Sequence, residues 1–297
     1  MTESSDPPLS YGCGCTLHGR RRFTVLLAAG ALAPVAVSAQ GQPQAPECRR
    51  SRVAGLVPAG QVEGSAQQQY VQMLRQAQGQ GALVPATHPQ MQRLRYIAQR
   101  IVPFTRGCND RAAQWRWEVN LLNSKQINAF CMPGGKIAFY TGILQQLQLD
   151  DDEVAMIMGH EVAHALLEHA RERMAKSGGT ELLFRGAAAI FGLGSLGDMA
   201  AVGATQLLSL KFGREDESEA DALGLLLASQ AGYNPGAGVT LWRKMGAATG
   251  GKAPPQWLST HPAGETRIKD IQGKLPRVQP LFQAAGKPDR RFQPPAA

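Results

Sequence analysis

The chain has 297 residues, of which 43% are hydrophobic and 18% charged, a balance that suits a folded globular protein and excludes a disordered or collagen-like one. Its formal net charge is +8, but the basic residues are scattered and no basic stripe is interleaved with aromatics, so nucleic acid is not an expected partner. The charge supports weak attraction to acidic partners or anionic membrane surfaces.

The first element in chain order is a targeting segment. Arg20-Arg21-Arg22-Phe23 precedes the apolar run TVLLAAGALAPVAVSA, which ends in Val37-Ser38-Ala39. The run is shorter than the ~20 residues of a spanning helix. Its charged start and small-residue end are those of a cleavable signal, and the paired arginines resemble a twin-arginine signal. Residues 1–39 therefore read as an export signal and the protein as periplasmic. Cys13 and Cys15 fall in this segment. Cys48, Cys108 and Cys131 remain, an odd set that allows one disulfide and leaves one free thiol.

Residues 40–60, rich in Pro, Gly and Gln, read as a linker. Helical periodicity follows from Gln61 to Pro103, with Met91, Leu94, Ile97, Ala98 and Ile101 on one face. The stretches 115–122, 128–133 and 136–142 carry strand signals, and Gly134-Gly135 makes a hairpin of the last two. A helix starts behind Asp150-Asp151-Asp152-Glu153, acids placed at the positive end of its dipole, and its pattern runs to about Lys176. Residues 180–212 are apolar but broken by Arg185 and Asp198, so they read as buried or surface-lying helices and allow peripheral membrane contact. Further helices follow from 214, from 236 and near the C-terminal motif below. Residues 61–275 read as one domain, α+β and mainly helical with a small sheet, and 276–297 as a loosely ordered tail.

Two motifs carry chemistry. In MIMGHEVAHALLEHA, His160 and His164 stand one helical turn apart, so their imidazoles can take adjacent corners of a tetrahedral metal site, with Glu161 within reach of a metal-activated water. His169 lies far around the same helix and reads as a surface or packing residue. The second motif is GREDESEADALG, residues 213–224, where Glu217 and Asp221 share a helix face with Gly224. A catalytic zinc takes three protein ligands. The candidates for the third are Glu217, Asp221, Glu219, Glu181 and His261, and we assign it to Glu217. Asp221 then orients a ligand histidine or Arg214, and Glu219 stays in solvent.

His160-Glu161-x-x-His164 followed by Glu217-x-x-Ala220-Asp221 resembles the zinc metallopeptidases of peptidase family forty-eight, which includes the HtpX membrane proteases and the CAAX prenyl endopeptidases. The chain looks closest to soluble exported bacterial members. The strand pair NAFCMPGGKIAFYTGIL and Ser259-Thr260-His261-Pro262 with Arg267 extend the resemblance over about residues 60–275. It implies a gluzincin-type fold, one Zn2+ at His160, His164 and Glu217, Glu161 as general base, and polypeptide substrates such as misfolded envelope proteins. Asp221 matches an acid that the family places near the site. His261 is open between oxyanion stabiliser, fourth zinc ligand and turn cap, and Arg267 between oxyanion partner, carboxylate partner and helix-face charge. Asn128, Ala129 and Phe130 would lie on an edge strand that a substrate joins by backbone pairing. The alternative function is a chaperone or binding protein with an occluded or structural zinc. The oligomeric state is not specified by the sequence.

Overall fold

Arg93 is fully buried, and what it holds explains much of the architecture. It sits on helix α2 (Pro89–Ile101), which opens on a proline and is capped by the His88 side chain. From there it bonds Asp151 at 2.6 Å and the Leu149 carbonyl at 2.8 Å, fixing α2 against the start of α4 (Asp151–Leu166). The apolar residues expected on one face of α2 are all buried. Helix α4 begins in a capping box between Asp150 and Glu153, which satisfies two otherwise unpaired backbone donors.

In this computed structural model the description covers residue 48 and residues 50–176, 210–248, 256–261 and 265–295. Residues 43–297 form one compact unit. The expected membrane-contacting stretch 180–212 lies almost wholly outside the described residues, as does the export signal. Among the described residues no helix is long and apolar enough to cross a membrane.

The sheet has three strands, β1 (Glu118–Leu122), β2 (Ala129–Met132) and β3 (Lys136–Tyr140), in the order β1-β3-β2. The β2–β3 hairpin is antiparallel, and β1 runs parallel to β3 with Glu118 opposite Lys136. Gly134 and Gly135 take φ of 86° and 76°, the left-handed pair that a tight hairpin turn requires. From α1 (Ala59–Gly79), Tyr70 donates to the Ile137 carbonyl and packs in a small apolar cluster with Phe130 and Met132. A short helix α3 (Thr141–Gln146) leads from the sheet to α4. The fold is the mainly helical α+β arrangement that the sequence pattern indicates.

Three features differ from expectation. The helix begun at Asp151 stops at Leu166, and a new one, α5, runs from His169 to Lys176. Glu168 between them has φ of 61°, a left-handed conformation that reverses the progress of the helix face. At the other end the last helix does not stop near 275. Of the remaining helices, α6 (Arg214–Gln230), α7 (Ala237–Ala248), α8 (Gln256–Thr260) and α9 (Glu265–Ala284), the last passes through Pro276 and Pro280. The segment after it is tied down: the Phe292 amide donates to Asp151 at 2.8 Å and Arg291 pairs with Asp152 at 3.0 Å. Cys48 and Cys108 form the single disulfide among the described residues, and Cys131 is free.

Candidate metal centre

Helices α4 and α6 approach until their backbones touch. A Cβ on Gly159 would stand 2.6 Å from the Gly224 carbonyl oxygen, and one on Gly224 would stand 2.7 Å from the His160 nitrogen. With no side chain at either position, the two motifs face each other at this crossing.

The ligand atoms of His160, His164, Glu217 and His261 all lie within 4.8 Å of one another, and all four side chains are buried. His160 Nε2 is 3.0 Å from His164 Nε2 and 3.3 Å from His261 Nδ1. Glu217 lies 2.9 Å from His261 Nδ1, and 3.5 Å from the Nε2 of each of the other two histidines. Nitrogen lone pairs packed this closely in a buried site repel unless a cation or proton lies between them. A tetrahedral zinc with bonds of about 2.0–2.1 Å sets its ligand nitrogens about 3.3 Å apart, so the donor set fits the ion.

Carboxylates surround the histidines. Asp221 accepts from His160 Nδ1 at 3.0 Å. Arg267 reaches Asp221 through Nε at 2.7 Å and Nη2 at 2.8 Å, and bonds Glu217 through Nη1. Burial alone would raise the Glu217 carboxyl, but hydrogen bonds from His164 and His261 hold it well below the usual carboxylate range. Burial likewise opposes ionisation of Asp221, and the Arg267 charge with the His160 hydrogen bond outweighs it. Burial pushes His164 well below the ordinary imidazole value, against the pull of Glu217.

Arg267 is therefore a carboxylate partner. Its guanidinium lies over the Trp242 ring, 3.6 Å from its centroid, and it is not among the residues lining the cleft. Of the roles the sequence leaves open for Arg267, these contacts are those of the carboxylate partner, and Arg267 takes the place at Asp221 that the sequence offered to Arg214. Glu161 does face the cleft. Its Oε1 accepts from the Trp257 indole at 2.7 Å and lies 3.6 Å from His261 Nε2.

The cleft holds a cavity of about 50 Å³. Its walls include Glu161, His164 and His261 on one side, residues 128–133 of the β2 edge on another, and Phe212. Phe212 stacks on the His164 ring at 4.0 Å. Asn128, Ala129 and Phe130 thus border the same space as Glu161. Cys131 also lines the cleft, and burial raises its thiol well above the ordinary value.

Four residues at the centre make contacts that the sequence does not specify. His169 is buried against His164, and Glu219 does not stay free in solvent but pairs with His169 at 3.2 Å. Trp257 and Phe212 were not singled out at all. For Trp257 a signal existed, because it stands one helical turn before His261. For His169 the break at Glu168 had no signal in the apolar pattern.

A mainly helical α+β fold with a small sheet ahead of a His-Glu-x-x-His helix, and an acid delivered by the next motif helix, defines a zincin-type metallopeptidase fold. The family model described as Peptidase family M48 matches residues 89–275, and the chain belongs to that family. It is 40% identical over 153 residues to "Mitochondrial metalloendopeptidase OMA1" of Arabidopsis thaliana, covering 52% of this chain and 30% of that protein. The protein of the same name from Schizosaccharomyces pombe is 35% identical over 199 residues, covering 66% and 56%. "Beta-barrel assembly-enhancing protease" of Escherichia coli is 26% identical over 170 residues, covering 54% and 35%. The chain thus spans 30–56% of the length of these relatives. The periplasmic location expected from residues 20–39 is corrected by these matches. Relatives from plant, yeast and animal sources are named as mitochondrial, and they point away from the periplasm.

Proposed function

We propose that the chain is a zinc-dependent metalloendopeptidase acting on unfolded or misfolded polypeptides, with His160, His164 and Glu217 as the ligands. The observation that carries this reading is Glu161, held by Trp257 at 2.7 Å, 3.6 Å from His261 Nε2 and bordering the cleft. A structural zinc site has no use for such a carboxylate. Zinc, when bound, supplies a Lewis acid that polarises the scissile carbonyl and acidifies the attacking water.

The protein's own groups do the rest. Glu161 takes the proton of the attacking water and returns it to the leaving nitrogen. Asp221 and Arg267 hold His160 and Glu217 in their orientations. The outer edge of β2, with Asn128, Ala129 and Phe130, receives an extended peptide by backbone pairing, which gives affinity with little sequence choice.

His261 supports a second reading. Its Nδ1 stands 3.3 Å from His160 Nε2 and 2.9 Å from Glu217, so it can close the fourth position and hold the site shut. Cleavage of casein by the full chain, beside its Glu161→Gln variant at matched zinc content, tests the peptidase. Loss of cleavage in the variant alone is expected, and equal cleavage by both would remove Glu161 as the base. His261→Ala separates the two roles of that residue: faster cleavage identifies a closing ligand, slower cleavage an oxyanion stabiliser.

A further inference from the structure

His169 is 1% exposed, lies outside the ligand cluster and is absent from the cleft wall. Both of its ring nitrogens are nevertheless engaged. Nδ1 is 2.8 Å from His164 Nδ1, and Nε2 is 3.2 Å from Glu219 Oε2. On an uninterrupted helix His169 would stand about 140° around from His164. The left-handed turn at Glu168 brings it back.

The protons can be counted along this line. Two imidazole nitrogens at 2.8 Å share one hydrogen, so one donates and the other accepts. The half-exposed Glu219 carboxylate oxygen accepts at His169 Nε2, so an imidazole with one N–H places its hydrogen on Nε2. His169 Nδ1 is then a lone pair, and His164 Nδ1 must carry the shared hydrogen. That leaves the lone pair of His164 on Nε2, the atom directed at His160 and Glu217. His160 reaches the same state more directly, through Asp221 on its Nδ1.

We propose, on the metal-centre reading above, that His169 is a positioning residue. The line Glu219–His169–His164 fixes the tautomer and ring orientation of the second zinc-ligand histidine, as Asp221 does for the first. Outer partners of this kind govern metal affinity because a ligand histidine in the wrong tautomer presents N–H to the ion. Phe212, stacked on the ring face, restrains His164 from a second direction but cannot choose its tautomer.

The test is zinc affinity of the full chain, read by competition with a chromogenic chelator. His169→Leu removes the acceptor and is expected to weaken zinc binding about 10–100-fold. His169→Asn places an amide oxygen where Nδ1 was, and is expected to restore affinity to within about threefold of the parent. Glu219→Gln still accepts from Nε2 without the charge and is expected to fall between them. Because Glu219 is half-exposed, that variant tests the line without disturbing the core. Thermal unfolding of the metal-free variants shows which have folded. Equal affinity of the parent and folded His169→Leu overturns the proposal, as does equal loss in the Leu and Asn variants, which would make His169 a packing residue. A parent chain that binds no zinc sinks the metal-centre reading itself, and the proposal with it.

Discussion

The Gly224 carbonyl oxygen lies 2.6 Å from where a Cβ on Gly159 would be, so the helix bearing His160 and His164 meets the helix bearing Glu217 and Asp221 backbone to backbone. The distances within the ligand cluster depend on this contact, since the ligands sit within two turns of it on both helices.

Gly224→Ala is expected to force α4 and α6 apart. Overpacking of this kind costs about 1–3 kcal/mol, more than alanine's better helix propensity returns. Zinc content should fall with stability, because Glu217 moves away from His160. Thermal unfolding and bound-zinc analysis check it. A variant with unchanged zinc content would show that the crossing does not set the site.

Arg267 neutralises two buried carboxylates at once. Arg267→Met leaves both buried without their shared cation, a change of about 3–5 kcal/mol. The loss should be larger in the metal-free protein than with zinc bound, since the ion itself offsets Glu217. Unfolding with and without zinc measures the difference, and equal losses would contradict it.

Trp257 donates its indole hydrogen to Glu161. Trp257→Phe removes that hydrogen and keeps most of the ring stacked against Trp242. A hydrogen bond to a charged group contributes about 1.5–3 kcal/mol, and part of that should be lost from the transition state. The expected outcome is a fall in kcat with KM little changed. A change in KM alone would assign Trp257 to substrate binding.

Much of this centre was legible in the sequence. His160, Glu161 and His164 were marked by spacing, and Glu217 and Asp221 by sharing a face with a glycine. The β2–β3 hairpin was marked by the Gly134-Gly135 turn between two strand stretches. What escaped depended on backbone conformation or on distant packing. The left-handed turn at Glu168 redirected His169, and nothing in the residue types around it announced the turn. Residues 276–297 read as loose because few of them are apolar, but 276–284 continue a helix, and polar and backbone bonds from Asp289, Phe292 and Gln293 reach α2 and α4. The periplasmic reading rested on residues 20–39, whose arginines and apolar run are shared by targeting segments with different destinations.

Acid should weaken the metal-free site in two stages. His164 has its folded value depressed, so its contribution is complete above about pH 6.5 and declines as the unfolded chain takes up the proton. Glu217 and Asp221 are also depressed, and their contribution declines below about pH 4, as the unfolded carboxyls protonate first. All three act in one direction. Melting temperatures of chelator-treated protein between pH 8 and pH 3 should fall throughout, and a rise on acidification would contradict the burial-driven shift at His164.

Asp151 accepts both the Arg93 guanidinium and the Phe292 amide, so the front of the His-Glu-x-x-His helix is completed by a residue 141 positions later in the chain. Glu217, His261 and Arg267 also follow that helix. A ribosome that has delivered His160 and His164 has yet to deliver Asp221 and Arg267, which orient His160. The site therefore comes together late in synthesis, and an unfinished chain carries the His-Glu-x-x-His motif without the residues that orient it.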